Sequence, residues 1–230
     1  MKILDMPCTK GFMQLAQDGV DRGWHEMNGG NLSYRLTEDE AANVKKVQRK
    51  ASGDWQEIYE SVPKLAGAFF MVTRTTGYMR NVMRDPVHAF GIVEIDPTGT
   101  KYRIWWGLED GGRPTSEFPS HLKNHEVKLE LTGGEHRVIY HAHPVNLIAL
   151  TFVLPPTDKA FTRALWEIMT ECPVIFPEGV GVVPWMVPGK GPIAAATSKL
   201  SDSGFGASAR LGTATRSAYE PRVRQWFAMP

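Results

Sequence analysis

The chain has 230 residues, enough for one domain with a sizeable core, and its 42% hydrophobic and 22% charged residues are ordinary for a soluble globular protein. Lys and Arg number 26 against 25 Asp and Glu, so the net charge of +1 argues against electrostatic binding to nucleic acid or an anionic membrane. The two cysteines, Cys8 and Cys172, form no motif, which excludes a disulfide framework and favours the cytoplasm. The opening residues carry no long apolar run, so we expect no signal peptide.

The first third of the chain combines one helix with two strands. Apolar residues at helical spacing predict a helix over 9–22, with Thr9 as its N-cap. A turn and an alternating strand follow over 28–36. The charged segment 37–66 has no clear period, and we interpret it as a surface excursion. Residues 68–77 then indicate a strand that runs into a polar loop.

The middle of the chain predicts a hairpin and a long helix. The strands 88–96 and 101–107 flank the turn "PTGT", which is typical of a hairpin. A helix is predicted over 114–133, with Ser116 near its start and Gly133 after its end.

The last elements continue the alternation of strands and helices. A strand is predicted over 136–142, and the segments "NLIALTFVL" and "DKAFTRALWEIM" have helical patterns. Another strand is expected over 180–189, and a further helix begins at 192–200. This order predicts a mixed α/β layer fold with a largely antiparallel sheet.

Two histidines in an apolar strand are the first sign of chemistry. His141 and His143 stand two apart, so both project on the same face and can share one cation. This pattern favours a metal site over two hydrogen-bonded core histidines. No histidine follows His143, so a third ligand is an earlier histidine, a carboxylate, or nothing. His121 and His125 share a helix face, which we interpret as a solvated surface.

Hydroxyl-rich loops are the second sign. Thr115, Ser116 and Glu117 lie at a predicted helix start, where backbone N–H groups favour an anion and Glu117 can act as a general base. Ordinary helix capping explains the same residues. The loop 28–33 suits a phosphate or a tight turn, and 73–77 repeats the theme of hydroxyls with glycine. Together these features indicate a metal site beside a phosphate pocket.

Longer motifs carry a family resemblance. The segments "GWHEMNGGNLSYRL", "PTSEFPSH", "HAHPVNLIALTFVL" and "FPEGVGVVPWMVPG" make the chain similar to the class II aldolase/adducin family, from about residue 10 to about residue 200. The resemblance implies a three-layer fold, with a mostly antiparallel central sheet flanked by helices. It is stronger to the branch that acts on rhamnulose phosphate than to fuculose-phosphate aldolase or ribulose-phosphate epimerase relatives.

The resemblance also implies an activity and an assembly. The expected enzyme is an aldehyde-lyase of rhamnose catabolism. It would cleave L-rhamnulose 1-phosphate reversibly to dihydroxyacetone phosphate and L-lactaldehyde, with one Zn²⁺ per subunit. The expected partners are the phosphorylated ketose and other copies of the chain, arranged as a ring-like homotetramer, without nucleic acid or membrane.

Specific residues receive roles from this resemblance. His141 and His143 would be zinc ligands, and Glu117 the acid/base beside the metal. Glu171 matches an acid that reaches into a neighbouring subunit's site. The implied substrate-binding residues are Asn28, Gly30, Asn31, Thr75, Thr115 and Ser116.

The chain departs from the family at two places. Arg74 stands where the family commonly has glycine, which weakens the assignment of the neighbouring threonines. The family's third zinc histidine should follow soon after residue 200, where this chain has none. We therefore expect an incomplete class II aldolase-like domain over 1–200 and an atypical tail over 201–230, frameshifted or disordered. The alternative function is a catalytically impaired or inactive relative, such as a scaffold resembling the adducin head.

Overall fold

One mixed sheet organises the described part of the chain. The computed structural model describes residues 2–175, 177–184, 191–202, 210–212 and 224–227. Its strands are β1 (Asn31–Arg35), β2 (Gln56–Glu57), β3 (Phe69–Thr73), β4 (Phe90–Ile95), β5 (Lys101–Gly107), β6 (Val138–Ala142), β7 (Gly181–Val183), β8 (Arg210–Gly212) and β9 (Arg224–Phe227). They lie in the order β2-β5-β4-β3-β1-β6-β9-β8-β7. Among these neighbours only β7 and β8 pair in parallel, so the predicted largely antiparallel sheet is confirmed.

Helices accompany the sheet at positions close to those predicted. The helices of the described residues are α1 (Pro7–Asp21), α2 (Glu38–Val47), α3 (Asn81–Arg84), α4 (Pro86–Ala89), α5 (Phe118–Thr132), α6 (Val145–Val153), α7 (Asp158–Ile168), α8 (Cys172–Ile175) and α9 (Gly191–Asp202). The prediction that Thr9 caps α1 is wrong, because the helix begins at Pro7 with Met6 as the N-cap. Proline suits the first helical position, since its backbone angle is preset and it has no N–H to leave unsatisfied. Thr9 lies inside the helix, fully buried.

The segment 37–66 is more ordered than its charge suggests. Thr37 and Glu40 form a capping box that starts α2: Thr37 Oγ1 accepts from Glu40 N at 3.2 Å, and Glu40 Oε2 accepts from Thr37 N at 2.8 Å. Val44 of this helix is fully buried. The remainder also contributes buried apolar residues, namely Ile58, Val62 and Leu65. The interpretation as a surface excursion is therefore wrong, because a few buried apolar residues anchor the charged segment to the core.

Each face of the central strands packs against helices. Phe69 of β3 belongs to a cluster with Phe12 of α1 and Val44 of α2. The next residue, Phe70, points to the opposite face and packs edge-on against Phe118 of α5, with ring centroids 6.1 Å apart. Successive side chains on a strand alternate between faces, so this sheet is covered on both sides. The expected three-layer fold is confirmed.

Helix α5 buries its histidines. Gly133 ends the helix as predicted, in the left-handed conformation at φ 59°. His121 and His125 share one face, but both are fully buried, so the prediction of a solvated surface is wrong. Each ring lies within hydrogen-bond distance of Ser33 Oγ on β1, at 2.6 and 2.8 Å. A polar helix face enters the core here because the strand beneath it offers a hydroxyl partner.

The C-terminal predictions are only partly covered by the described residues. Strand β7 confirms the start of the strand predicted over 180–189, while 185–189 lies outside the described residues. Helix α9 confirms the helix predicted from 192. The division at residue 200 and the interpretation of 201–230 stay predictions, since 203–209, 213–223 and 228–230 also lie outside the described residues.

Within the described ranges, no helix is both long and apolar enough to cross a membrane.

Candidate active site

A polar cleft opens where β1 begins and β6 ends. Asn31 is the register partner of His141 on these adjacent strands. Glu117, the N-cap of α5, approaches from the helix on that face of the sheet. The cleft is lined by Glu26, Met27, Asn28, Gly29, Gly30, Asn31, Arg74, Thr75, Thr76, Thr115, Ser116, Glu117, His141 and His143. Nine predicted site residues therefore converge in one place, although they come from four separate parts of the sequence.

The two histidines face each other across a short gap. His141 Nε2 and His143 Nε2 are 3.1 Å apart. His141 Nδ1 lies 2.9 Å from Glu117 Oε2, and His143 Nδ1 lies 2.6 Å from Glu26 Oε1. When each Nδ1–H donates to its carboxylate, both Nε2 atoms turn lone pairs toward the gap. Carboxylates behind metal-binding histidines act in this way, so the arrangement suits a shared cation.

The protonation state of His141 also suits a shared cation. Burial lowers the pKa of His141 to about 3, with the carboxylate of Glu26 acting in the opposite direction. The ring is therefore neutral near pH 7, which is the form that binds metals. Within the described residues, no group of three or more His, Cys, Asp and Glu side chains is placed to hold a metal ion. His141 and His143 thus form a pair of donors rather than a complete ligand set.

Glu117 is buried beside the histidine pair. Its Oε2 lies 2.9 Å from His141 Nδ1 and accepts from Asn31 Nδ2 at 3.4 Å. Its position at the beginning of α5 also places the carboxylate in the favourable field of the helix N-terminus. A carboxylate held next to a cation site and facing a cleft is suited to proton transfer.

Two loops form the hydroxyl-rich wall of the cleft. Thr75 N donates to Arg113 O at 2.9 Å, and Thr115 N donates to Thr73 O at 2.8 Å. These backbone bonds bring Thr75 and Thr76 next to Thr115 and Ser116. Arg74 also lines the cleft, and its guanidinium donates to Glu109 O at 3.3 Å. The loop 73–77 therefore still places Thr75 and Thr76 at the cleft, although it carries Arg74 where the family commonly has glycine.

Sequence reasoning missed two supporting residues, His25 and Glu26. His25 Nδ1 lies 3.0 Å from Gly29 O, and its Nε2 lies 2.5 Å from Tyr140 Oη, so this ring braces the 28–31 loop from below. Burial lowers the pKa of His25 to about 4, and its hydrogen bond to Gly29 opposes that shift. Both residues stand in the quoted segment "GWHEMNGG", but neither follows a spacing that points to a site.

Glu171 lies outside this cleft. It is exposed just before α8, where its backbone oxygen accepts from Val174 N at 3.0 Å. Thr170 Oγ1 donates to its Oε2 at 3.2 Å. Within one copy of the chain, Glu171 is therefore not part of the residue set around His141.

Known proteins match most of the sequence. Rhamnulose-1-phosphate aldolase of Mannheimia succiniciproducens is 44% identical over 191 residues, covering 83% of this chain and 70% of the relative. The protein of the same name from Pectobacterium atrosepticum is 44% identical over 199 residues, covering 86% of this chain and 72% of its own.

Solved structures match the fold as well. A sugar-phosphate aldolase from Thermotoga maritima superposes with a TM-score of 0.71 at 25% identity, covering 95% of this chain and 84% of that chain. An L-fuculose 1-phosphate aldolase gives 0.52 at 16% identity over 95% and 74%, a likeness of fold alone. The family described as Class II Aldolase and Adducin N-terminal domain matches residues 11–210. The predicted enzyme class, an aldolase and hence a lyase, agrees with the two relatives at 44% identity, and the chain belongs to the class II aldolase/adducin family.

Proposed function

We propose that the chain catalyses zinc-dependent, reversible aldol cleavage of L-rhamnulose 1-phosphate to dihydroxyacetone phosphate and L-lactaldehyde, a step of rhamnose catabolism. The observation that carries this proposal is the convergence of the facing pair His141 and His143, the buried Glu117 and a hydroxyl wall in one cleft. The names of the relatives at 44% identity support the substrate.

His141 and His143 would hold the zinc ion, and their chemistry fits it. Two imidazole nitrogens 3.1 Å apart can both reach an ion at the usual Zn–N distance of about 2 Å. When bound, zinc supplies Lewis-acid stabilisation of the negative charge that develops on the substrate oxygens. With only this pair of donors placed together among the described residues, we expect weaker binding than in a site with three histidines.

Glu117 would move the protons of the reaction. In cleavage, the hydroxyl on C4 loses its proton, the C3–C4 bond breaks, and its electron pair moves toward the C2 carbonyl. A proton must then be returned to C3 to complete dihydroxyacetone phosphate. A single carboxylate at the reacting carbons can take the first proton and supply the second.

The hydroxyl wall would bind the phosphate. Thr75, Thr115 and Ser116, which all carry hydroxyls, line the cleft, and Asn28, Gly30 and Asn31 line it as well. Contacts to a phosphate remote from the reacting carbons orient the substrate without taking part in bond breaking.

A metal-dependent assay tests the proposed function. We expect the purified full chain to form dihydroxyacetone phosphate from L-rhamnulose 1-phosphate when zinc is present. Chelation should lower the rate by about 10²-fold or more, because the main stabilisation of charge is removed. Coupled reduction of dihydroxyacetone phosphate measures the rate, and metal analysis gives the zinc content. A purified protein that shows no zinc binding and no turnover would contradict the proposal.

A second candidate is a catalytically impaired or inactive relative. It is favoured by one observation: no histidine follows His143, so the family's third zinc histidine is missing from the sequence. This candidate predicts a folded protein that binds zinc weakly or not at all and has no turnover, so the same assay separates the two.

For the assembly, we propose a homotetramer in which Glu171 reaches the cleft of a neighbouring copy. Exposed apolar side chains near Glu171 support such a contact, because surfaces of this kind commonly mark protein–protein interfaces. They are Trp166, Ile168, Met169, Val174 and Ile175, all within five residues of Glu171 in the sequence.

Charge placed on this apolar surface should disrupt the assembly. We expect Val174→Asp, at a position 80% exposed, to shift the protein to smaller species in sedimentation velocity and to reduce turnover. Leu131→Asp, on the exposed side of α5, is the matched control and should leave the sedimentation unchanged. A wild-type chain that sediments as a monomer at micromolar concentration would contradict the assembly.

A further inference from the structure

A line of buried polar side chains runs from the core of the protein to the cleft. His125 Nε2 lies 2.8 Å from Ser33 Oγ, and Ser33 Oγ lies 2.6 Å from His121 Nδ1. His121 Nε2 lies 2.5 Å from Asn31 Oδ1, and Asn31 Nδ2 donates to Glu117 Oε2 at 3.4 Å. All five residues are buried, three of them completely.

Each contact in this line determines the direction of the next. Asn31 Nδ2 lies 3.4 Å from Glu117 Oε2 and 3.2 Å from His141 Nδ1, whose N–H can donate to the same carboxylate oxygen. Glu117 only accepts hydrogen bonds when ionised, so the amide of Asn31 turns Nδ2 toward it and Oδ1 toward His121. Oδ1 only accepts, so His121 must carry its proton on Nε2. Burial lowers the pKa of His121 well below its usual range, so its Nδ1 is then a lone pair that accepts from Ser33.

The same reasoning reaches His125. The single O–H of Ser33 is directed at His121, so Ser33 Oγ accepts from His125 Nε2–H. This leaves a lone pair on His125 Nδ1, an atom that is buried without a hydrogen-bond partner among the described residues. A donor proton at Nδ1 would be costly there. The buried surroundings of Nδ1 therefore favour the tautomer of His125 that carries its proton on Nε2.

We propose that His121 is a positioning residue of the proposed reaction. Through Asn31 it holds Glu117 with Oε2 facing two N–H donors, and Ser33 and His125 select the tautomer that makes this possible. Glu117 is the residue that would touch the substrate, and His121 acts only through it. This inference rests on the proposed function, and it assigns a role to residues that the proposed function does not use.

The opposite tautomer shows why the selection matters. A lone pair on His121 Nε2 would face the carbonyl oxygen of Asn31 at 2.5 Å, and the two would repel each other. Rotation of the amide would relieve that repulsion, but it would turn Oδ1 toward the Glu117 carboxylate. If His121 Nε2 did not carry the proton, the amide of Asn31 would rotate and the Glu117 carboxylate would therefore be displaced.

Variants along the line test the proposal. Ser33→Ala removes only the hydroxyl that selects the tautomer, His121→Leu removes both ring nitrogens, and His121→Gln keeps an N–H donor near the original Nε2. Thr9→Val is the matched control, because it removes a fully buried hydroxyl from α1, on the opposite face of the sheet. The kinetics use zinc-loaded full-length protein and L-rhamnulose 1-phosphate.

We expect kcat to fall by about 10- to 100-fold in Ser33→Ala and His121→Leu, the range for residues that orient a metal-site group. KM should change less than kcat, because Thr75, Thr115 and Ser116 of the phosphate wall are untouched. His121→Gln should recover part of the loss, and Thr9→Val should keep the wild-type kcat. Retention of full kcat by folded His121→Leu protein would overturn the proposal.

Nitrogen-15 NMR of the histidine rings and the Asn31 amide gives a readout that needs no turnover. We expect the Nε2–H tautomer at His121 in the wild-type protein, a changed tautomer population in Ser33→Ala, and a shifted Asn31 amide signal in both Ser33→Ala and His121→Leu. An Nδ1–H tautomer in the wild type, or an unchanged Asn31 signal, would overturn the positioning role. If the wild type has no turnover, the proposed function fails while these spectra still decide the arrangement.

Discussion

Glu117→Gln should lower kcat by about 10²- to 10⁴-fold, the contribution typical of a positioned acid/base. Glutamine has nearly the shape of glutamate but cannot take up or release the proton. Its carbonyl oxygen can take the place of Oε2 and still accept from Asn31 Nδ2 and His141 Nδ1, so the loss reports on the proton rather than on the position of the side chain. Steady-state kinetics with L-rhamnulose 1-phosphate measure the change, and metal analysis shows whether zinc remains bound.

Glu130→Gln is the matched control for this prediction. Glu130 lies on the same helix as Glu117 but is largely exposed and pairs with Lys64 at the surface. Its substitution should leave kcat and the free energy of unfolding nearly unchanged. If Glu117→Gln keeps kcat within a few-fold of the wild type, Glu117 is not the acid/base, and the proposed mechanism is wrong.

Gly30→Ala should lower the free energy of unfolding by about 2–5 kcal/mol, through a left-handed backbone and an overpacked site. Gly30 has φ +81°, which alanine adopts at a cost. A Cβ there would stand 2.3 Å from His25 Nδ1 and 2.6 Å from His141 O. The strand that carries His141 cannot move away without disturbing the cleft, so turnover should fall as well. Urea unfolding measures the stability.

Gly23→Ala separates the two causes. Gly23 has a similar φ of +70°, but a Cβ there would meet no atom within 4 Å. Its substitution should cost only about 1 kcal/mol, the penalty of the left-handed backbone. Equal losses at the two positions would show that the close approach of His25 and His141 has no effect on stability.

Much of the fold could be predicted from local patterns. The turn "PTGT" between two strand-like segments predicted β4, β5 and the hairpin between them, and Gly133 marked the end of α5. These features depend on the backbone preferences of a few neighbouring residues, which any sequence displays. The errors at Thr9 and at 37–66 concern positions where a proline start and a capping box overrode the broader pattern.

The individual parts of the candidate site could also be found, each as a weak signal. His141 and His143 were predicted to share a face because residues two apart in a strand do so. Glu117 was found at a helix start, and the hydroxyl-rich loops by their composition. The resemblance of the longer segments to one family then joined these parts into a single hypothesis.

The sequence by itself determined which residues can bind a metal, move a proton or contact an anion, because those capacities belong to the side chains. Only the tertiary structure decided which of them meet. It placed Asn31 beside His141 through the pairing of β1 and β6, and it buried His121 and His125 against Ser33. The sequence pattern of a helix face with two histidines is the same whether that face is exposed to water or buried in the core, so the sequence alone could not distinguish the two cases. The hydroxyl that makes its burial favourable comes from a strand almost ninety residues away in the chain.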